Sequence, residues 1–166
     1  MEMDSHRKDI TEAAEDTCKW LQDEPDYKSW LARYQGLLWI VGIPGSGKST
    51  LMKYIYQQDT LRLTRAEPKE GTLHLSQPSQ KKVIVASFFC YSTGAPLQKS
   101  RIGLFRSLLH QILRQIPTLP PEVSSYFEKR RELEGEPGQK WEWHKHDLEK
   151  MLETSVAYIA KEYPEE

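Results

Sequence analysis

The spacing of apolar residues along this chain changes several times, and each change predicts an element. Ile10, Ala13, Ala14, Thr17, Cys18 and Leu21 fall on one helical face, and Gln22 to Asp26, with Pro25, reads as a turn. Tyr27, Trp30, Leu31 and Tyr34 repeat at helical spacing, and Gly36 stands where a helix C-terminus favours glycine. Residues 1–35 therefore read as a helical segment of two short helices. An unbroken apolar run follows, Leu37-Leu38-Trp39-Ile40-Val41, which suits a parallel strand covered on both faces. From Lys48 onward, Leu51, Met52 and Ile55 predict a short amphipathic helix ending near Gln58.

Asp59 to Lys82 is polar, holds Pro68, Gly71 and Pro78, and keeps no period, so it reads as a long loop. Val83 to Tyr91 is a second strand of the buried type. Ile102, Phe105, Leu108, Leu109, Ile112, Leu113 and Ile116 mark the clearest amphipathic helix, stopped at Pro117. Pro120-Pro121 leads into a charged helix, Glu122 to Leu133, which Gly135 to Gln139 breaks. Leu148, Met151, Leu152, Val156, Ile159 and Ala160 predict a last helix ending near Tyr163-Pro164. This order predicts an α/β domain with a parallel sheet over residues 36–166. Two strands buried on both faces would leave open edges, so the chain reads as the front part of a larger domain.

Between the first strand and its helix lies Gly42-Ile43-Pro44-Gly45-Ser46-Gly47-Lys48-Ser49, which fits G-x-x-x-x-G-K-[ST] in the strand-before, helix-after setting that the motif requires. Gly42 and Gly47 allow backbone angles and close approach that a Cβ would block. Gly45, Ser46, Gly47, Lys48 and Ser49 can turn N–H groups inward around an anion, whereas Pro44 has none and stiffens the entry. The helix start adds unpaired N–H groups and its positive dipole end. Lys48 is assigned the catalytic part, reaching the β- and γ-phosphates and offsetting charge that shifts during transfer. The Ser49 hydroxyl is assigned to Mg²⁺, and Thr50 to an α-phosphate through its N–H. The expected ligand is ATP or GTP with magnesium.

Composition narrows the partners. Basic and acidic residues number 23 and 24, a net charge of −1, so nothing suggests a surface for nucleic acid or anionic membrane. No apolar run approaches the roughly 20 residues that span a bilayer. Cys18 and Cys90 make neither a disulfide framework nor a zinc site, and the charged start Met1 to Asp9 is not a secretory signal. The reduced cytoplasm is the expected compartment.

Hydrolysis needs more than the loop. A phosphate-loop enzyme also places an acid at the end of a second buried strand, and Val83–Tyr91 leads instead to Ser92-Thr93-Gly94. Nucleotide turnover by this chain alone is expected to be slow or absent. His144 and His146 lack further ligands at metal spacing, and Lys129-Arg130-Arg131 sits among glutamates as a solvated helix face. Of Trp20, Trp30 and Trp39 one could stack on a nucleotide base, but core packing is the stronger reading, and Trp141 and Trp143 read as anchors of the last helix. Ser92-Thr93-Gly94 reads equally as a plain turn or as a polar contact to phosphate.

At these residues the chain resembles a NACHT-type signalling NTPase of the STAND class, and more narrowly the nephrocystin-like N-terminal domain of fungal NLR-like proteins. The stretches that carry the resemblance are Arg7-Lys8-Asp9-Ile10 with Thr17-Cys18-Lys19-Trp20-Leu21; Trp30-Leu31; Gly36 to Ile40 running through Ser49-Thr50-Leu51-Met52; Ala86-Ser87-Phe88-Phe89; and Ile102 to Leu109. The resemblance implies a three-layer P-loop NTPase fold, cut off here before the Walker B strand. It also implies a nucleotide-controlled switch in nonself recognition, with the full-length protein self-associating when nucleotide triphosphate is bound. Two rival readings are a P-loop phosphotransferase such as a small-molecule kinase, and a non-catalytic interaction module.

Overall fold

Proline fixes φ near the helical value and leaves no N–H unpaired, so Pro25 opens helix α1, Pro25–Arg33, instead of ending a turn. The computed structural model describes residues 9–33, 36–64, 84–91, 93–136 and 141–162. Four further helices follow: α2 Lys48–Thr64, α3 Arg101–Leu113, α4 Pro121–Glu134 and α5 Lys145–Glu162. Short 3₁₀ turns cover Lys19–Asp23 and Pro96–Lys99. The described residues divide into two compact units, one within Arg7–Pro68 and one within Lys69–Glu166.

In the first unit Cys18, Leu21, Tyr27, Leu51 and Ile55 form the core, with Trp30, Leu31, Leu38 and Ile40 packed against it. The helix expected over Ile10 to Leu21 does not form. Both the N–H and the hydroxyl of Thr17 donate to the Ala14 carbonyl, at 3.0 and 2.8 Å, and Asp16 has φ of 69°. Local side-chain bonding of this kind competes with helix and closes a turn instead. Lys53, only 6% exposed, ties this stretch to α2 by donating to the Ile10 carbonyl at 2.6 Å. α2 runs past the expected end at Gln58 to Thr64; the rest of the expected loop, 65–82, lies outside the described residues.

In the second unit Leu109, Val123, Leu148 and Met151 are the buried centre, where α3 and α4 both pack on α5. Ser100 caps α3 by accepting from the Gly103 N–H at 3.1 Å. Gly103 lies so close to the preceding 3₁₀ turn that a Cβ there would overlap the Leu97 carbonyl oxygen, at 1.6 Å. Trp141 and Trp143 do anchor the approach to α5, through ring contacts with Phe127 at 5.8 and 6.0 Å.

The α/β fold with a parallel sheet, and with it the three-layer P-loop NTPase architecture, is overturned: among the described residues every regular element is helical and no strand is present. A strand exists only where another backbone supplies its hydrogen bonds. Residues 37–43 and 84–91 carry no regular structure, and neither joins a ladder. Leu38 and Ile40 meet the core, whereas Leu37, Trp39, Val41 and Ile43 are exposed, so the run is covered on one face rather than two. In the other segment, side chains occupy peptide groups that a strand would have paired: Gln115 takes both groups of Val85, and Gln111 both groups of Ser87.

Candidate functional site

The glycine-rich loop is strung between two anchored stretches. Leu38 and Ile40 fix its entry on the core of the first unit, and Leu51 and Ile55 fix α2 at its exit. Ile43-Pro44-Gly45-Ser46 closes a β-turn in which the Ser46 N–H donates to the Ile43 carbonyl at 3.2 Å. Proline in second place and glycine at φ of 79° in third are the requirements of a type II turn. Pro44 thus occupies a turn position that its fixed φ suits. Gly47, at φ of 81°, makes the second left-handed step, directly before α2. Any other L-residue at Gly45 or Gly47 would be strained.

The first intrahelical bond runs from the Leu51 N–H to the Gly47 carbonyl at 2.9 Å. Helix geometry therefore leaves the N–H groups of Gly47, Lys48, Ser49 and Thr50 without an intrahelical acceptor. The first turn of α2 contains no acidic residue to offset the positive end of its dipole. Lys48 bends back over the loop, its ammonium donating to the Gly42 and Ile43 carbonyls at 2.7 Å each, with Ser46 Oγ at 3.5 Å. Ser49 is exposed and Thr50 half-buried. The loop is thus an exposed turn with one ammonium folded over it, ahead of a helix start whose first N–H groups have no intrahelical acceptor.

Magnesium fits this donor set in one way. The Ser49 hydroxyl could hold one position of an ion that keeps its waters and arrives with phosphates. Among the described residues no group of three or more His, Cys, Asp or Glu could hold a metal by itself.

Other residues singled out by sequence are dispersed. His144 and His146 are exposed at the start of α5. Trp30 packs on the first core, but Trp20 and Trp39 face solvent, against the expectation that all three are core. Arg131 keeps to a solvated face, paired with Glu136. Arg130 departs from it: its guanidinium lies 5.1 Å from the Trp141 ring centre and 5.6 Å from that of Trp143, and it grips Glu134 through two nitrogens. Glu134, then Tyr126, hold the Arg130 pKa above its ordinary value against the effect of burial. Ser92 lies outside the described residues, and Gly94 closes a turn onto the Tyr91 carbonyl. Both cysteines are free thiols, Cys18 buried and Cys90 exposed.

Sequence reasoning missed the Lys53–Glu12 pair, at 2.8 Å, since nothing in the spacing links the two positions. It also missed Gln111, in the last turn of α3, and Gln115, two residues past its end, whose side chains bond to a segment more than 20 residues away.

Residues 16–160 match the family model described as Nephrocystin 3, N-terminal, a span that includes the loop and reaches into both units. No curated protein and no solved structure matches the chain.

Proposed function

We propose, of a chain that belongs to the nephrocystin 3 N-terminal family, that Gly42 to Thr50 bind the phosphates of ATP or GTP together with magnesium. The observation that carries this reading is the pair of left-handed glycines, Gly45 and Gly47, leading into a helix start whose own lysine lies folded across the loop. The N–H groups of Gly47 to Thr50 supply hydrogen bonds to phosphate oxygens, and the α2 dipole adds favourable potential. Lys48 exchanges two loop carbonyls for phosphate oxygens. An ammonium is better satisfied by charged acceptors than by neutral ones, so the exchange favours the bound state. Ser49 is the protein's ligand to magnesium, which neutralises phosphate charge when bound.

The wider role follows from the resemblance to NACHT-type STAND proteins: a nucleotide-controlled switch in NLR-like nonself recognition, working in the cytoplasm and self-associating in the full-length protein. No helix among the described residues is long and apolar enough to cross a membrane. Calorimetry with MgATP and MgGTP tests the binding step. The intact chain is expected to bind at least one of them, and Lys48→Ala to weaken that binding by about tenfold or more, a charge-assisted hydrogen bond being worth about 1.5–3 kcal/mol. No heat with either nucleotide, from folded protein, removes the proposal.

A further inference from the structure

Gly45 and Gly47 are glycines because their backbone is left-handed, but Gly42 is not in that region. Its lack of a side chain has another cause. A Cβ at Gly42 would lie 2.7 Å from Ser46 Oγ, 3.6 Å from Ser46 Cβ and 3.7 Å from Lys48 Cδ. Only the first distance is too short; the other two are ordinary contacts. The same Ser46 Oγ stands 3.5 Å from the Lys48 ammonium, which the Gly42 and Ile43 carbonyls hold at 2.7 Å. One hydroxyl therefore meets both the open space at the Gly42 Cα and the charge that the loop carries.

We propose that Ser46 is a positioning residue: its hydroxyl, seated against Gly42, keeps the Lys48 ammonium inside the loop, and position 42 is glycine to leave that seat open. The inference rests on the nucleotide reading of the loop and gives Ser46 a side-chain role beside the N–H that the motif assigns to it. The atom a Cβ would strike is the end of a rotatable side chain, not backbone. Gly42→Ala therefore turns the Ser46 hydroxyl away and leaves the fold intact. It then loses what Ser46→Ala loses. With both changes present the nearest approach is the Cβ–Cβ distance of 3.6 Å, and nothing further remains to be lost.

Two measurements on the whole chain test this. In calorimetry with MgATP, or MgGTP if that is the nucleotide bound, Gly42→Ala, Ser46→Ala and the double variant are each expected to bind about three- to tenfold more weakly than wild type, and equally so. In the ligand-free protein, the Lys48 Nζ and Cε signals in NMR spectra are expected to move to one shared position in all three variants. Multiplying penalties in the double variant would overturn the proposal, as would a Ser46→Ala variant that binds like wild type. So would Lys48 signals that stay where wild type has them. The NMR arm with Ser46→Ala alone decides the matter should Gly42→Ala fail to fold. Failure of wild type to bind either nucleotide removes the reading of the loop as well, whereas wild-type binding with independent penalties removes only the role given to Ser46.

Discussion

Lys53 shows how one residue can fix a stretch of chain that has no regular structure. Its ammonium is buried beside α2, donates to the Ile10 carbonyl at 2.6 Å and meets Glu12 at 2.8 Å, while Gln57 donates to the same carboxylate at 3.2 and 3.3 Å. A lysine is almost never buried without partners, because an unpaired buried charge is more costly than the pair is favourable. Glu12→Ala is expected to lower the melting temperature by stranding that charge, and Lys53→Met in the same chain to restore most of the loss. A double variant no more stable than Glu12→Ala would refute this account. The pair also fixes a pH dependence. The Lys53 hydrogen bond, then that of Gln57, hold the Glu12 carboxyl below its ordinary value. The unfolded chain thus takes up this proton at higher pH than the folded one. Its contribution is complete above the unfolded pKa and is lost as pH falls through the folded one. Melting curves from neutral to acid pH should fall less steeply for Glu12→Gln than for wild type, and matching slopes would count against the assignment.

At the scale of elements, α3 and the turn that continues it act as a strand's partner through two side chains, Gln111 in the helix and Gln115 two residues past its end. Four residues of helix rise about 6 Å, close to the roughly 6.6 Å that separates alternate residues of an extended chain. Gln111 and Gln115 therefore meet Ser87 and Val85 in register. The Val85 and Ser87 N–H groups donate to the two glutamine oxygens at 3.1 and 3.0 Å, and both side-chain nitrogens return bonds of 2.8 Å to the carbonyls. In hydrogen exchange, Gln115→Ala is expected to unprotect the Val85 amide and Gln111→Ala that of Ser87, with the α5 amides unchanged. Equal protection in the variants would show that these bonds do not hold the segment.

The same elements show what was legible. α3, α4 and α5 follow from apolar spacing and local punctuation: Pro117 after α3, Pro120-Pro121 at the start of α4, and Gly135, at φ of 83°, after its end. The helix start at Lys48 and the need for glycine at position 47 were legible too, because both are set within a few residues of one another. The first helix failed because apolar spacing does not register that Thr17 bonds to Ala14. The sheet failed for a different reason. Apolar runs announce extended chain, but a strand depends on a distant partner, and glutamine side chains at Val85 and Ser87 are invisible to a pattern of hydrophobicity.

For the whole molecule, the consequence of the missing sheet is an uncovered apolar row. Leu37, Trp39, Val41 and Ile43 are 81%, 77%, 78% and 76% exposed, while the alternate residues Leu38 and Ile40 face the first core. The N–H and C=O groups from Leu37 to Val41 find no partner among the described residues. A segment with free peptide groups and one apolar face is the pattern that soluble proteins ordinarily blunt with charge, because it pairs with other chains. The isolated chain is therefore expected to self-associate as its concentration rises, measured by sedimentation velocity. Trp39→Lys with Val41→Lys places two charges on the exposed row and touches no buried contact, so it should hold the protein monomeric at an unchanged melting temperature. Leu38→Lys, one position away but on the core face, should lower the melting temperature and leave association in place. The alternation makes the test decisive: if the exposed-face double variant associates like wild type, or melts as Leu38→Lys does, the row is neither exposed nor adhesive.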